Sequence, residues 1–151
     1  MHRATPPLAA ACAVGVLALA GAASATQTSS VIRITDRELS YNRLDQGPRG
    51  AGPGDLEIAW QALYNRRITT KALGHSELLC TFLTKRSRNC TGTYFLPKGK
   101  IVVEGVIGSR LLFELPVVGG TGIYSSSRGS LLVTTQTLDP RKEILLFRLT
   151  P

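Results

Sequence analysis

The chain has 151 residues, 43% of them hydrophobic and 19% charged, with a formal net charge of +8. That length and apolar fraction provide for one domain with a real core. The lysines and arginines are scattered from Arg33 to Arg148 and aromatics make up only 6%, which argues against a basic stripe interleaved with stacking platforms, so no nucleic-acid partner is expected.

Arg3 precedes an apolar, alanine-rich run from Leu8 to Ala22, and Ala23-Ser24-Ala25 places small residues where a signal peptidase reads. The pattern predicts a secretory signal peptide over 1–25, cleaved between Ala25 and Thr26. The run falls short of the roughly 20 apolar residues of a spanning helix, and no charged stop-transfer flank follows it. A secreted, extracellular chain without a membrane anchor is therefore expected. Cys12 sits inside the apolar run, and Ala9-Ala10-Ala11 before it makes a poor lipoprotein box. Residues 26–30 read as a polar leader, and 31–151 as the folded domain.

From Val31 to Tyr41 apolar and polar residues alternate for much of the length, as in a half-buried strand. Gln46 to Gly54, rich in proline and glycine, breaks the pattern into a loop. Leu56, Ile58 and Trp60 then alternate with Glu57, Ala59 and Gln61, predicting a second strand; a helix over Leu56–Tyr64 is the competing reading, because these residue types also suit one. Further strands are expected over Ala72–Leu83, Cys90–Leu96, Ile101–Ile107, Leu111–Val118, Tyr124–Thr137 and Glu143–Leu149. Short turns such as Pro97-Lys98-Gly99-Lys100 separate them. Eight short strands with no convincing 3.6-residue period predict an all-β, antiparallel, up-and-down barrel, which leaves no open edge to template aggregation.

With Cys12 in the leader, Cys80 and Cys90 remain as an even pair in an exported chain, which favours a disulfide contributing roughly 3 kcal/mol by loop entropy. Only His75 lies nearby, short of the four ligands of a structural zinc, so no metal and no cofactor is expected. Asn89-Cys90-Thr91 matches a glycosylation acceptor and reads as accidental beside a bacterial-looking leader.

The densest glycine cluster is Pro116-Val117-Val118-Gly119-Gly120-Thr121-Gly122-Ile123-Tyr124, followed by Ser127-Arg128-Gly129. It resembles the most diagnostic motif of the allene oxide cyclase and dirigent superfamily. The Gly-Pro loop closing at Gly54-Asp55, then Cys80, the Cys90 to Pro97 segment and Ile101 to Gly105 follow the order of its secreted bacterial members, so the resemblance spans residues 31–151. It implies an eight-stranded barrel with a ligand-accommodating cavity, commonly a homotrimer. It also implies a mould for a reactive small molecule, acting by orientation and exclusion of water. Arg128 falls on the motif's arginine and Tyr124 on its aromatic residue. Asn42 falls near an asparagine used by allene oxide cyclases, whose acid two residues earlier is replaced by Ser40. Those cyclases also carry a cysteine where Cys80 stands, which makes a catalytic thiol the alternative to the disulfide.

Three functions follow. The first is binding of a small apolar or aromatic metabolite, steering its coupling or cyclisation, with Trp60, Tyr124, Arg128 and Asn42 as candidate ligand-binding residues; the catalytic residues are not identifiable. The second is a true isomerase or cyclase. The third is a filled, non-catalytic structural or interaction barrel, its interior occupied by Ile58, Val103, Phe113 and Leu146. Glu57, Glu104 and Glu114 lie out of phase with their apolar neighbours and are expected to face solvent. A wet cavity would reverse that phase and make them acid–base candidates.

Overall fold

A computed structural model of the chain describes residues 29–65, 68 and 71–150; the expected signal peptide, the cleavage site at Ala25 and Thr26, and all but the last two residues of the polar leader lie outside them. The described residues form eight strands: β1 (Ser30–Leu44), β2 (Leu56–Asn65), β3 (Gly74–Thr84), β4 (Ser87–Leu96), β5 (Gly99–Gly108), β6 (Leu112–Gly120), β7 (Arg128–Leu138) and β8 (Arg141–Thr150). Each pairs antiparallel with the next and β8 returns to β1, which closes an up-and-down barrel. The helix reading of Leu56–Tyr64 gives way to β2. Its Leu, Ile and Trp have partners on both sides in β1 and β3, and such pairing overrides a weak helical preference. The seventh strand starts later than expected: Gly122–Tyr124 is a single 3-10 turn, and the ladder with β8 begins at Arg128.

The glycine motif is a steric necessity at Gly120 and Gly122. A side chain on Gly120 would collide with the carbonyl of Lys100 and with Tyr124, and Gly122 has φ +62° with the Lys98 carbonyl where a side chain would stand. The Thr121 N–H donates to Lys100 O at 2.9 Å, and Thr121 Oγ1 accepts from Lys100 N at 3.1 Å. The motif thus bolts the β6–β7 connection to the start of β5.

That connection marks the base of the barrel, shared with the β2–β3 and β4–β5 turns. The opposite end, the mouth, carries the β1–β2 loop and the β3–β4, β5–β6 and β7–β8 turns. Between base and mouth the interior is packed solid. Leu63, Tyr94, Ile101, Val103, Leu131, Leu145 and Phe147 are at most 1% exposed, and the Tyr94 and Phe147 rings meet edge to face at 5.1 Å. Cys80 and Cys90 face each other across β3 and β4 and form the disulfide, its sulfurs turned into the barrel.

Candidate functional site

Toward the mouth the interior changes from apolar to ionisable. A β-bulge between Glu38 and Ser40 leaves Leu39 without a partner in β2, and Tyr41 then pairs with Ala59. β1 is the longest strand, and its ladder with β8 ends at Arg37–Lys142, so its upper part overhangs the opening with β2 alone. Asp55 ties this overhang down. It is fully buried and accepts from Arg43 Nη2 at 2.7 Å, from Gln46 N at 2.8 Å and from Gly52 N at 2.9 Å. Those donors, the Arg43 guanidinium first, hold its carboxyl down to about 2. Arg43 in turn lies 4.9 Å over the Phe82 ring.

Below the overhang is an inner chamber of about 30 Å³, lined by Ala59, Gln61, Leu78, Ile107, Phe113 and Glu143 among others. It has room for a water or two. The chamber shares Glu38, Tyr41, Glu57, Arg88 and Arg141 with an outer vestibule of about 260 Å³ rimmed by Leu138. Together they form a funnel.

The polar groups fall into two sets. On one wall Tyr41 Oη donates to Glu57 Oε1 at 2.6 Å, while Arg88 Nε lies 3.1 Å from Glu57 Oε2, an ion pair too poorly aligned for a hydrogen bond. Burial, and then the Glu57 acceptor, pushes the Tyr41 phenol up to about 12, so it stays a donor. On the other wall Glu143 Oε1 accepts from Arg141 Nε at 2.6 Å and from Thr135 Oγ1 at 3.1 Å. Asp36 pairs with Glu143 across β1 and β8 and is 0% exposed. Its Oδ1 accepts the Glu143 backbone N–H at 2.9 Å, and its Oδ2 has no hydrogen-bond partner among the described residues. Burial first, and the Glu143 charge second, push the Asp36 carboxyl up to about 8. Asp36 therefore keeps its proton at neutral pH. Burial also drives the Tyr94 phenol well up, with Asp36 and Glu143 adding to the shift. Ser76 Oγ donates to Gln61 Oε1 at 2.7 Å and completes a buried polar layer.

The expected outward phase holds for Glu104 and Glu114, which are exposed, and fails for Glu57, which faces the funnel. In β2 the inward set is Glu57, Ala59, Gln61 and Leu63, so Ile58 and Trp60 lie on the outer wall. The Trp60 ring stacks on His75 at 6.0 Å, and His75 stacks on Phe95 at 4.3 Å. This cross-strand aromatic ladder gives the apolar phase an outside partner. The four candidate ligand residues are not gathered in one place. Trp60 is 46% exposed on the outer wall. Asn42, paired with Ile58, is exposed near the mouth. Tyr124 lies at the base, and Arg128, also at the base, is exposed and donates from Nη1 to Ser127 O at 2.9 Å.

Asp36 and Glu143 escaped the sequence reading, although a signal was present. Both are acids in phase with inward apolar residues, Asp36 with Ile32 and Ile34, and Glu143 with Leu145, Phe147 and Leu149. Among the described residues no three His, Cys, Asp or Glu side chains converge to hold a metal ion. What the funnel offers is an arginine-paired carboxylate and a phenol donor, with a protonated carboxyl buried behind its wall.

No family model matches the chain, and no curated protein matches it in sequence. Solved structures do match. Pyocyanin demethylase superposes with a TM-score of 0.69 at 25% identity, covering 80% of this chain and 100% of that one. The pterocarpan synthase dirigent protein GePTS1 gives 0.65 at 13% identity, covering 84% and 86%. The Diels-Alderase AbmU from Streptomyces koyangensis gives 0.67 at 19% identity, covering 86% and 72%. The chain thus shares its closed eight-stranded barrel fold with these proteins.

Proposed function

We propose that the chain is an exported barrel that binds a small apolar or aromatic metabolite in the mouth funnel and steers its coupling or cyclisation. The observation that carries this reading is Asp36, a buried carboxyl that holds a proton to about 8, has one unpartnered oxygen, and sits behind Glu143 on the funnel wall. A vestibule of about 260 Å³ suits a ligand of one ring or two, with Leu138 against its apolar body. The inner chamber then receives the reacting atom. Asp36 holds its proton in the wall behind Glu143, while Tyr41 donates to an oxygen that gains charge and the Glu57–Arg88 pair fixes orientation. The structural neighbours named as a pterocarpan synthase and a Diels-Alderase support ring-forming chemistry on this fold.

The test is an NMR titration of the protein with a panel of phenols and fused-ring enones. Expected are amide shifts at Tyr41, Glu57, Arg88 and Phe113, reduced at least about tenfold in affinity by Glu57→Gln. Shifts confined to other regions, or none, would overturn the reading in favour of a filled, non-catalytic barrel, which the chamber of only about 30 Å³ favours.

Export is supported by the disulfide, which persists in oxidising compartments. Expression with the leader and mass measurement of the exported protein would show a chain beginning at Thr26; an intact Met1 would refute it. Assembly as a homotrimer is supported by the apolar outer wall at Ile58, Trp60 and Leu79, where a groove of about 320 Å³ stays open. Native mass spectrometry reading a monomer would refute that arrangement.

A further inference from the structure

The mouth is not the only opening. At the base, a cleft of about 450 Å³ lies between the start of β1, the ends of β2 and β4 and the β6–β7 connection. Ile32, Ile34, Leu73, Leu96 and Tyr124 supply its apolar wall. Arg33 and Lys98 line it as well, and among the described residues no aspartate or glutamate does. Among the described residues neither of these cations forms an ion pair. The packed layer of Leu63, Tyr94, Ile101 and Phe147 separates this cleft from the funnel.

We infer that the basal cleft is a second ligand site, distinct from the mouth, for a small amphipathic carboxylate whose apolar body is one or two rings. Size and charge both point there. A volume of 450 Å³ matches a small-molecule pocket. An apolar wall with two cations that form no ion pair among the described residues selects against neutral and cationic ligands, because a carboxylate alone gains the charge contacts while its rings leave water. A free phosphate fits poorly, since its oxygens would meet an apolar wall. The chain's own leader fits poorly too: residues 26–30 read Thr-Gln-Thr-Ser-Ser and bring nothing apolar to fill the space. Tyr124 strengthens the case, as burial raises its phenol and keeps the hydroxyl a donor.

The experiment compares three probes of one shape on isotope-labelled protein: 1-naphthoate, 1-naphthalenemethanol and 1-naphthylmethylammonium. Naphthoate is expected to move the amide signals of Ile32, Leu73, Lys98 and Tyr124 and to leave Tyr41, Glu57 and Arg88 in place. It is also expected to bind at least about tenfold more tightly than the alcohol. The paired variant Arg33→Gln/Lys98→Gln should lose most of that preference, and Arg33→Glu/Lys98→Glu should reverse it in favour of the ammonium. The spectrum of each variant reports its folding directly. Shifts at the mouth alone, equal affinity for the three probes, no binding at the solubility limit, or an unchanged preference in both variants would each overturn the inference. Because the two sites have separate reporter amides, failure at the base leaves the mouth reading standing, and the reverse.

Discussion

The middle of the barrel and its mouth are built from the same eight strands by opposite rules. In the middle, inward residues are apolar, at most 1% exposed, and interlocked around Tyr94 and Phe147. At the mouth the same inward phase carries Glu38, Glu57, Arg88, Arg141 and Glu143. Burial in the middle stabilises by removing apolar surface from water. Burial at the mouth costs free energy and is retained against that cost, as with Asp36. The contrast teaches where the molecule spends stability: the packed middle offsets the cost of the ionisable groups buried toward the mouth.

The most severe break of this contrast is Phe147→Ala. Removing a ring that is 0% exposed leaves a cavity in the middle, and a loss of about 3–5 kcal/mol is expected by denaturant unfolding. A loss below about 1 kcal/mol would mean the middle is not the source of stability. Asp36→Asn comes next, and acts with the opposite sign. The folded Asp36 binds a proton up to about 8 and the unfolded one only up to about 3.8, so its contribution is full below the lower value and declines as pH rises toward the higher. The asparagine variant should flatten that slope, a change on the order of a few kcal/mol between pH 4 and 8 in stability-versus-pH curves. An unaltered slope would show that Asp36 is ionised when folded.

Asp55→Asn probes the overhang alone. With its folded carboxyl lowered to about 2, Asp55 supports the fold above its unfolded value of 3.8 and releases it as pH falls toward 2. The variant should show raised proteolysis within Gln46–Gly54 already at neutral pH, with the barrel unfolding as before. Equal cleavage of both proteins would remove the clamp from the account. Smallest of all, Tyr41→Phe deletes one donor on a 45% exposed ring. It should change the melting temperature by no more than the equivalent of about 1 kcal/mol, while weakening ligand binding at the mouth in the same titration.

How much of this was legible in the sequence differs between the two regions. The middle was open to reading because it obeys the alternation rule: Val103, Leu115 and Leu131 face in as their neighbours predict. Pairing Cys80 with Cys90 needed only parity and an exported context. The mouth was misread at β2 because the rule assigns apolar residues inward. There the outer wall has its own apolar ladder through Trp60, His75 and Phe95, so Ile58 and Trp60 point out and Glu57 points in. One position off, the same ambiguity hid Leu145, which is 0% exposed, behind Leu146. The diagnostic glycine motif drew attention to Tyr124 and Arg128 at the base, whereas the ionisable groups gather at the far end, with no motif of their own.

The bulge at Leu39 has a consequence for how the chain can vary in length. Because successive residues on a strand face opposite sides, an inserted residue ordinarily exchanges inside for outside along everything that follows. β1 escapes this by ejecting Leu39, which is 59% exposed, so the strand behaves as two reading frames in series. The first frame supplies Ile32, Ile34 and Asp36 to the interior, and the second turns Tyr41 toward the funnel. Deleting Leu39 would fuse the frames and leave both inward sets intact. Deleting one residue between Ile58 and Leu63 in β2, where no bulge absorbs the shift, would turn Glu57 to the outside and take the carboxylate out of the mouth.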